Sequence, residues 1–374
     1  MTSLPGVDPI ETFSSLRRLS RNNARARKLL LEAQISNPAI HVTNSSSLPA
    51  PHPLDFDWRF STETITGLTS ICTSLTKKGQ KIALIGVPTL FFASKMDLED
   101  RMLLLIDKNH RQGRRDRNKR MIPMDLTRNY PKRVRVNLVV VDPPWYLDYQ
   151  KRFIWIASKI CEIGGSVLAV FPKIGTRPGV DIENSQLLQY CKAQGLRYVS
   201  IESEVVYETP YFERNAFKSY GIKHSLPLWR HAELFRFEKR SNSTGNELIC
   251  KPEPWYPDAP LGFKLRVDRE RDHPFRNPNL LHIVPGDILP TVSRRDPRRN
   301  KVDVWTKGNR VYGCKGLGVL RAILTAIANG SSPVKEVSSY VGRKLTGMER
   351  KIVRHASDTV KKIAHQEAVE MRLY

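Results

Sequence analysis

The chain has 374 residues, 40% of them hydrophobic, and its 61 Lys and Arg outnumber its 37 Asp and Glu to give a net charge of +24. This length and composition predict two or three domains with a substantial core. They exclude a membrane-spanning protein, because no uninterrupted apolar run approaches the ~20 residues that cross a bilayer. The basic excess favours a polyanionic partner, most often nucleic acid, over a basic protein that has no such partner.

The N-terminal sequence and the cysteines predict an intracellular protein. The first residues, MTSLPGVDPIETF, lack the basic and then apolar order of a signal peptide. The cysteines are odd in number, none forms a CxxC pair, and no histidine lies near one at zinc-ligand spacing. They are Cys72, Cys161, Cys191, Cys250 and Cys314. We therefore expect buried or incidental reduced thiols, no metal site, and a cytoplasmic location, with the nucleoid or the nucleus as alternatives.

The first 53 residues differ in composition from the rest of the chain. Residues 1–35 are predicted to be a basic helical arm, since 10–34 fit an amphipathic helix that carries RRLSRNNARARK. Its charged face is either simply solvated or an interaction arm. Residues 36–53 are rich in Ser, Pro and Asn, which predicts a linker.

Residues 54–240 alternate between strand and helix patterns. The predicted strands are 81–87, 103–106, 121–124, 134–141, 166–171 and 197–203, and the predicted helices are 62–76, 150–163 and 182–194. Gly164 and Gly165 are expected to form a turn, and the segments 204–209 and 234–238 are expected to close the sheet. This alternation predicts a Rossmann-like α/β domain with a mostly parallel sheet.

The last third of the chain changes character twice. Residues 241–315 are rich in Pro, Arg and Asp and are predicted to be an irregular basic extension, with 302–305 and 310–312 as possible hairpin strands. Residues 316–374 are predicted to be a helical module, because 317–328, 334–345 and 348–372 fit helical periods and Ser332-Pro333 is a typical helix start. The module is either helix-turn-helix-like or a plain helical bundle.

Three acids follow predicted strands at the edge of the sheet where ligands of such folds bind. They are Asp107, Asp125 and Asp142. The last of them begins the motif Asp142-Pro143-Pro144-Trp145. The prolines fix their own φ angles and carry no N–H donors, so their carbonyls are available as acceptors. With the carboxylate of Asp142 and the flat ring of Trp145, this geometry suits an amino group that must give its hydrogens to acceptors.

DPPW resembles the (Asp/Asn)-Pro-Pro-(Tyr/Phe/Trp) motif of S-adenosylmethionine-dependent amino-methyltransferases, in which it binds the target NH2 and stacks the base. The upstream segments FSTET, at 60–64, and KIALIGVPTLFFA resemble the N-6 adenine methyltransferase-like group, which includes lysine methyltransferases of elongation factors. The similarity covers residues 54–240. It implies a class I methyltransferase sheet with S-adenosylmethionine as the cofactor.

The resemblance also implies roles for individual residues. Asp142, Pro143, Pro144 and Trp145 would form the target-amine site. Gly86, Val87 and Pro88 would border the cofactor, Asp107 would accept hydrogen bonds from the ribose hydroxyls, and Asp125 would lie near the adenine amine of the cofactor. The sequence departs from the usual methyltransferase pattern after the first strand, where GVPTLF stands in place of GxGxG. The alternatives are a strand-ending turn with Trp145 in the core, and a helix cap at Asp107.

A basic cluster follows the second predicted strand. Eleven Lys or Arg and only two Asp occur between Lys108 and Arg135. This cluster is either a solvated loop or a loop that contacts phosphates. The residues predicted to bind nucleic acid are Arg111, Arg114, Arg115, Arg117, Lys119 and Arg120. The segment YETPYFERNAF is either a base-stacking surface or part of the strands that close the sheet.

Three functions are compatible with these features. The first is methylation of an amino group, with the N-6 of adenine in DNA or RNA as the target. The second is a catalytically inactive methyltransferase-fold subunit that binds nucleic acid, which the missing glycine-rich motif favours. The third is methylation of a protein lysine.

Overall fold

The computed structural model describes residues 48, 50–93, 98, 100–108, 119–219, 221, 230–257, 260–269 and 275–372. The predicted arm and most of the predicted linker lie outside these residues. Two compact units are present. The described residues of unit 1 lie mainly in Asp57–Thr209 and His224–Pro252, and those of unit 2 lie in Ala50–Phe56, Pro210–Lys223 and Glu253–Tyr374.

Unit 1 contains a seven-stranded sheet. Its strands are β1 (Lys81–Ile85), β2 (Met102–Asp107), β3 (Lys119–Pro123), β4 (Val136–Val141), β5 (Cys161–Pro172), β6 (Leu196–Tyr207) and β7 (Arg230–Lys239). They are arranged in the order β3-β2-β1-β4-β5-β7-β6. Pairing is parallel from β3 to β5, whereas β7 is antiparallel to both of its neighbours. This is the Rossmann-like sheet of a class I methyltransferase, as the sequence predicts.

Helices cover both faces of this sheet. They are α1 (Thr62–Leu75), α2 (Pro88–Ala93), α3 (Leu147–Ile160) and α4 (Val180–Ala193). Along β1, Ile82 and Leu84 belong to a core cluster that includes residues of α1 and α2, whereas Ala83 and Ile85 belong to one that includes residues of α3 and α4. Because both faces are buried, the central strands are continuous apolar runs without polar alternation.

The predicted strands and helices of unit 1 are confirmed, with three corrections. The helix predicted at 150–163 is α3, which begins at Leu147 and ends at Ile160, so 161–163 belong to β5. Gly164 and Gly165 do not form a turn but lie within β5. A Cβ on Gly165 would approach the carbonyl oxygen of Asn137 to 2.5 Å, so glycine permits close approach of β5 to β4 where their register shifts. The segments 197–203 and 204–209 form the single strand β6, whose register against β7 shifts twice.

Unit 2 combines helices with a four-stranded antiparallel sheet. The helices are α5 (Tyr211–Ser219), α6 (Leu317–Ala328), α7 (Pro333–Val341) and α8 (Gly347–Arg372), and the strands are β8 (Phe263–Leu265), β9 (Leu281–His282), β10 (Val304–Thr306) and β11 (Val311–Gly313). The sheet order is β8-β10-β11-β9. The predicted hairpin is confirmed as β10 and β11, and α6, α7 and α8 confirm the three predicted helices.

The segment YETPYFERNAF is not built as paired strands throughout. Tyr207 ends β6, and α5 begins at Tyr211 with Phe212 and Phe217 buried. All five cysteines are buried free thiols, as expected. Within the described ranges, no helix combines the length and the apolar character needed to cross a bilayer.

Candidate functional site

The site lies at the carboxyl edge of the parallel strands in unit 1, where β1 and β4 approach each other closely. The backbone N–H of Asp142 donates a hydrogen bond to the carbonyl of Ile85 at 3.1 Å, and the N–H of Gly86 donates one to the carbonyl of Ile106 at 3.2 Å. Gly86 has a φ of +66°, and a Cβ there would lie 3.0 Å from the carbonyl oxygen of Asp142. Glycine is therefore required for both its conformation and its lack of a side chain.

The segment after Gly86 has no glycine-rich loop. Val87 is buried, and Pro88 begins α2 directly, at a helix position that tolerates the missing N–H of proline. On the neighbouring strand, Asp107 is the last residue of β2 and is partly exposed. A carboxylate at this place is a suitable acceptor for two ribose hydroxyls. The Asp107 carboxylate, at the end of the strand that neighbours β1 and Gly86, thus fits a nucleoside-containing cofactor.

Asp125 is engaged in a local turn after β3. Its Oδ1 accepts hydrogen bonds from the N–H of Thr127 at 3.0 Å and from the Thr127 hydroxyl at 2.7 Å. The buried Arg152 of α3 holds the same turn by donating to the carbonyls of Leu126, at 2.8 Å, and Asn129, at 3.1 Å. These hydrogen bonds hold the turn in place within unit 1. The predicted role of Asp125 at the cofactor adenine stays a prediction.

Asp142 follows β4 and is the central acid of the site. Its Oδ1 accepts a hydrogen bond from the Tyr207 hydroxyl at 2.8 Å. The side chain keeps partial contact with solvent but is densely surrounded by protein, and this burial raises the pKa of the carboxyl to about 8. The Tyr207 hydrogen bond and the positive charge of Arg230 act in the opposite direction, and Asp57 raises the pKa further.

Aromatic rings and one cation surround this carboxyl. The Trp145 and Tyr207 rings meet edge to face, with centroids 5.8 Å apart. The guanidinium carbon of Arg230 lies 3.5 Å from the centroid of the Trp58 ring and 5.0 Å from that of the Trp145 ring. A cation placed over two indoles is attracted by both ring faces. We call Trp58, Trp145, Tyr207 and Arg230 the aromatic cluster.

The topology of the sheet explains why the aromatic cluster meets Asp142. β6 runs parallel to β4, so its last residue, Tyr207, reaches the carboxyl edge. β7 is antiparallel, so its first residue, Arg230, reaches the same edge, and these two residues are register partners. The long antiparallel closing strands therefore place a hydroxyl and a guanidinium beside the motif that follows β4.

The segment FSTET, at 60–64, fixes the end of β6. The N–H of Ser61 donates to the carbonyl of Val206 at 2.9 Å, and the N–H of Val206 donates to Oγ1 of Thr64 at 2.9 Å. Ser61 is also the N-cap of α1, and the Phe60 and Tyr207 rings lie 5.2 Å apart. We call these contacts the latch. It holds Tyr207, the hydrogen-bond donor to Asp142.

The DPPW segment leaves two acceptors available. The carbonyl of Pro144 accepts from the N–H of Tyr146 at 2.7 Å, and that of Trp145 accepts from Arg177 at 3.3 Å. Among the described residues, neither Oδ2 of Asp142 nor the carbonyl of Pro143 receives a hydrogen bond. These are the two groups that sequence reasoning assigns to the target amine.

Most of the residues predicted to contact nucleic acid lie outside the part of the chain that the structure describes. Arg111, Arg114, Arg115 and Arg117 lie outside the described residues. Lys119 and Arg120 belong to β3, the edge strand of the sheet, and Arg120 is exposed. Their contact with nucleic acid stays a prediction.

Sequence reasoning missed three members of the site. It did not connect Tyr207 with Asp142, and it did not use Trp58 or Arg230 at all. Trp58 lies two residues before Phe60, the first residue of FSTET. This position was the signal in the sequence that could have indicated a role for Trp58. The positions of Arg230 and Tyr207 follow from pairing between β6 and β7, which a single sequence does not reveal.

Comparison with known proteins supports the fold and the resemblance. Residues 56–162 match the family model of "Probable N6-adenine methyltransferase". This match confirms the resemblance to that group. It spans FSTET, the strands β1 and β2, and DPPW. No curated protein matches the sequence. The match to this family model implies S-adenosylmethionine as the cofactor.

Several solved structures are similar to this chain at low identity. The branched-chain polyamine synthase from Thermus thermophilus is 11% identical with a TM-score of 0.47, and the match covers 56% of this chain and 64% of that one. The N-methyltransferase NodS from Bradyrhizobium japonicum WM9 is 15% identical with a TM-score of 0.30, and the match covers 48% and 97%. A TehB-like SAM-dependent methyltransferase from Corynebacterium glutamicum is 13% identical with a TM-score of 0.30, with 60% and 100% covered. The chain thus spans under two thirds of the length of the synthase.

Proposed function

We propose that this protein transfers a methyl group from S-adenosylmethionine to an amino group, and that its target is the N-6 amine of adenine in DNA or RNA. The observation that carries the proposal is the pair of available acceptors beside the aromatic cluster. Oδ2 of Asp142 and the carbonyl of Pro143 follow one strand, next to the Trp145 ring. An amine with two hydrogens needs two acceptors, and the base that bears it needs a flat neighbour.

The cofactor, when bound, supplies an electrophilic methyl group. Gly86 and Asp107 would hold it at the ends of β1 and β2. Asp142 and Pro143 would accept the two N–H hydrogens of the target and so direct the nitrogen lone pair toward the methyl group. Positive charge develops on the nitrogen during transfer, and these acceptors stabilise it.

The protonation of Asp142 sets the pH range of the reaction. An ionised carboxylate is the stronger acceptor, and the ionised fraction grows as the pH rises through the carboxyl pKa of about 8. Tyr207 donates to this carboxyl and favours its ionised form. We expect the rate to increase from pH 7 to pH 9.

One observation favours a second target, a protein lysine. The aromatic cluster holds a cation, the Arg230 guanidinium, between two indoles. Aromatic rings in this arrangement also bind ammonium groups, and a carboxylate with a pKa near 8 is able to take the proton that a lysine must lose before methyl transfer.

The test is a methyl-transfer assay with the full chain, radiolabelled S-adenosylmethionine, adenine-containing DNA and RNA, and a protein extract. Nucleosides and peptides are then identified by mass spectrometry. We expect N-6 methyladenine from the wild type and none from Asp142→Ala. Asp181→Ala, which removes an exposed carboxylate of α4, is the matched control and should be fully active.

A second variant separates the two targets. Asp142→Asn keeps a side-chain acceptor but has no titratable group. It should retain partial activity on adenine, which is neutral, and should lose activity on lysine, which requires a base. Methyl-lysine in the extract without methyladenine would reject the adenine target.

A further inference from the structure

The charged side chains of α8 in unit 2 divide between its two faces. On the inner face, the Glu367 carboxylate accepts hydrogen bonds from the N–H of Gly308 and from Arg310, both at 3.0 Å. Glu370 pairs with the same Arg310 at 2.9 Å. Glu367 is 2% exposed. Two acids of the helix are thus used to anchor it to the turn between β10 and β11.

The first turn of α8 uses a third acid internally. The Glu349 carboxylate accepts from Arg343 at 2.7 and 2.9 Å and from the N–H of Thr346 at 2.8 Å. These bonds lower the pKa of Glu349 to about 2, so the carboxylate is fully ionised and tied to the preceding turn. Asp358 is the one exposed acid of α8.

The outer face of α8 is basic. Five cations are exposed there: Arg350, Lys351, Arg354, Lys361 and Lys362. Within the described part of the chain, none of the five forms an ion pair. Arg350 and Lys351 lie four and three residues before Arg354, and like charges at this spacing repel each other. Asp358 is the one acid among the five cations. This face extends over about 18 Å, given 1.5 Å per residue.

One charged surface of unit 1 carries mixed signs. On β5, β6 and β7, Lys173 pairs with Glu204 at 2.6 Å, and both Arg197 and Arg240 pair with Glu238, at 2.5 and 2.8 Å. A solvated surface without a partner typically shows such mixed pairs. On α8 five exposed cations surround a single exposed acid and form no ion pair within the described residues, and this excess of positive charge indicates a polyanionic partner.

The turn before α8 fixes the position of α8 against the preceding helix α7. α7 ends at Gly342, whose φ of +73° closes the helix, and Leu345 is buried in the same core cluster as Val337 of α7 and Val353 of α8. Two helices joined by a short turn that begins with glycine and is held by a buried leucine form a helix-turn-helix-like pair. In such pairs the second helix, here α8, is the one that enters the major groove.

We propose that the exposed basic face of α8 is a docking surface for double-stranded DNA. The major groove of B-form DNA is about 12 Å wide and admits an α-helix, whereas the major groove of A-form RNA is too narrow. The cations at 350–354 and 361–362 lie along one helix and suit the phosphates that border a groove. This docking is independent of methyl transfer and of the acids at the sheet edge of unit 1.

The test measures binding of the full chain to a fluorescent DNA duplex of about 20 base pairs over a salt series. The variant Lys351→Gln/Arg354→Gln/Lys361→Gln removes three cations of the α8 face. The matched control, Lys77→Gln/Lys81→Gln/Lys192→Gln, removes three exposed cations of unit 1 that lie outside the basic cluster at 108–135 and away from the carboxyl edge of the sheet. All six positions are exposed, and circular dichroism verifies that both variants are folded.

We expect the α8 variant to bind about tenfold more weakly or worse at 0.1 M salt. Its log Kd against log salt should be shallower by about two to three units, since each lost phosphate contact removes about 0.9. The control should bind within about threefold of the wild type, as scattered surface cations add little to a defined contact. Asp142→Ala should bind like the wild type, which separates this inference from the proposed function.

Three results would overturn the inference. The first is wild-type affinity in the α8 variant. The second is an equal loss in the control, which would show that only total charge matters. The third is stronger binding to a matched RNA duplex with the same loss in the α8 variant, which would assign the face to RNA.

Discussion

The acid at the carboxyl edge of unit 1 and the cations of α8 in unit 2 use charge in opposite ways. Asp142 is densely surrounded, receives a hydrogen bond from Tyr207, and has a pKa raised to about 8. The cations of α8 are exposed and make no ion pairs within the described residues.

The difference indicates what each region is able to do. A carboxyl that protein atoms surround and fix interacts strongly with one group, so a single substitution should have a large effect on one reaction. Exposed cations interact weakly with many phosphates, so each substitution should have a small effect that depends on salt. Substitutions in the two regions should therefore differ in the size and the salt dependence of their effects.

The largest effect is expected for Asp142→Ala. Removing the acceptor from the target amine should lower the methyl-transfer rate by about 10²–10³-fold. Affinity for DNA should change less than twofold, because the α8 face is intact. Steady-state kinetics and duplex binding measured on the same preparation check this, and a joint loss of both would show that the two regions are not separate.

The next effect concerns the latch and is a change in stability. Thr64→Val deletes the hydroxyl that joins both the N–H and the carbonyl of Val206. The carbonyl of Val206 keeps its hydrogen bond from Ser61, but the partly buried N–H of Val206 loses its acceptor, which should lower the free energy of unfolding by about 1–3 kcal/mol. Urea denaturation measures the change.

Thr66→Val is the control for the latch. Thr66 lies two residues further along α1, is exposed, and bonds only to the carbonyl of Thr62. Its substitution should change the free energy of unfolding by less than about 0.5 kcal/mol. Equal changes in both variants would contradict a specific latch.

Tyr207→Phe should have a smaller effect, visible mainly in the pH profile. The hydrogen bond from Tyr207 lowers the Asp142 pKa, so its loss should raise that pKa above about 8. A hydrogen bond to a charged group contributes about 1.5–3 kcal/mol, which corresponds to an upward shift of about 1 to 2 pH units in the rate profile. At pH 7 the rate should fall about 10- to 100-fold.

A purely structural role for Tyr207 would lower the rate equally at all pH values and leave the midpoint where it is. Tyr198→Phe on the same strand removes a hydroxyl from a half-exposed ring. It should leave both the rate and its pH midpoint unchanged.

The smallest effect is expected for single changes on α8. Lys351→Gln should weaken duplex binding by about two- to threefold and reduce the salt slope by about one unit. Fluorescence anisotropy in a salt series resolves such a change. A loss of a hundredfold from this one residue would mean that α8 reads bases rather than contacting phosphates.

Local patterns predicted the elements of the fold because the signals lie within each element. β1 from Ile82 to Ile85 and β4 from Leu138 to Val141 are continuous apolar runs, since both of their faces are buried there. α8 fits a helical period over its whole length. The prediction of a turn at Gly164 and Gly165 was wrong because glycine occurs both in turns and where two strands approach closely. The short distance from Gly165 to the carbonyl of Asn137 shows that the second case applies.

The candidate site was predicted in part for the same reason. DPPW is local, and its position after a buried strand is visible in the sequence. The donor to Asp142, by contrast, comes from Tyr207, 65 residues further along the chain, and it arrives there through the antiparallel pairing of β6 and β7. The cation between the two indoles depends on the same pairing.

The cofactor is the condition on which both enzymatic targets depend, so its binding tests the central claim most directly. Isothermal titration calorimetry of the full chain with S-adenosylmethionine should give a Kd on the order of micromolar. Asp107→Ala, which removes the proposed ribose acceptor, should bind at least about tenfold more weakly, the loss expected for a hydrogen bond to a charged group. Absence of binding by the wild type would contradict methyl transfer to any amine.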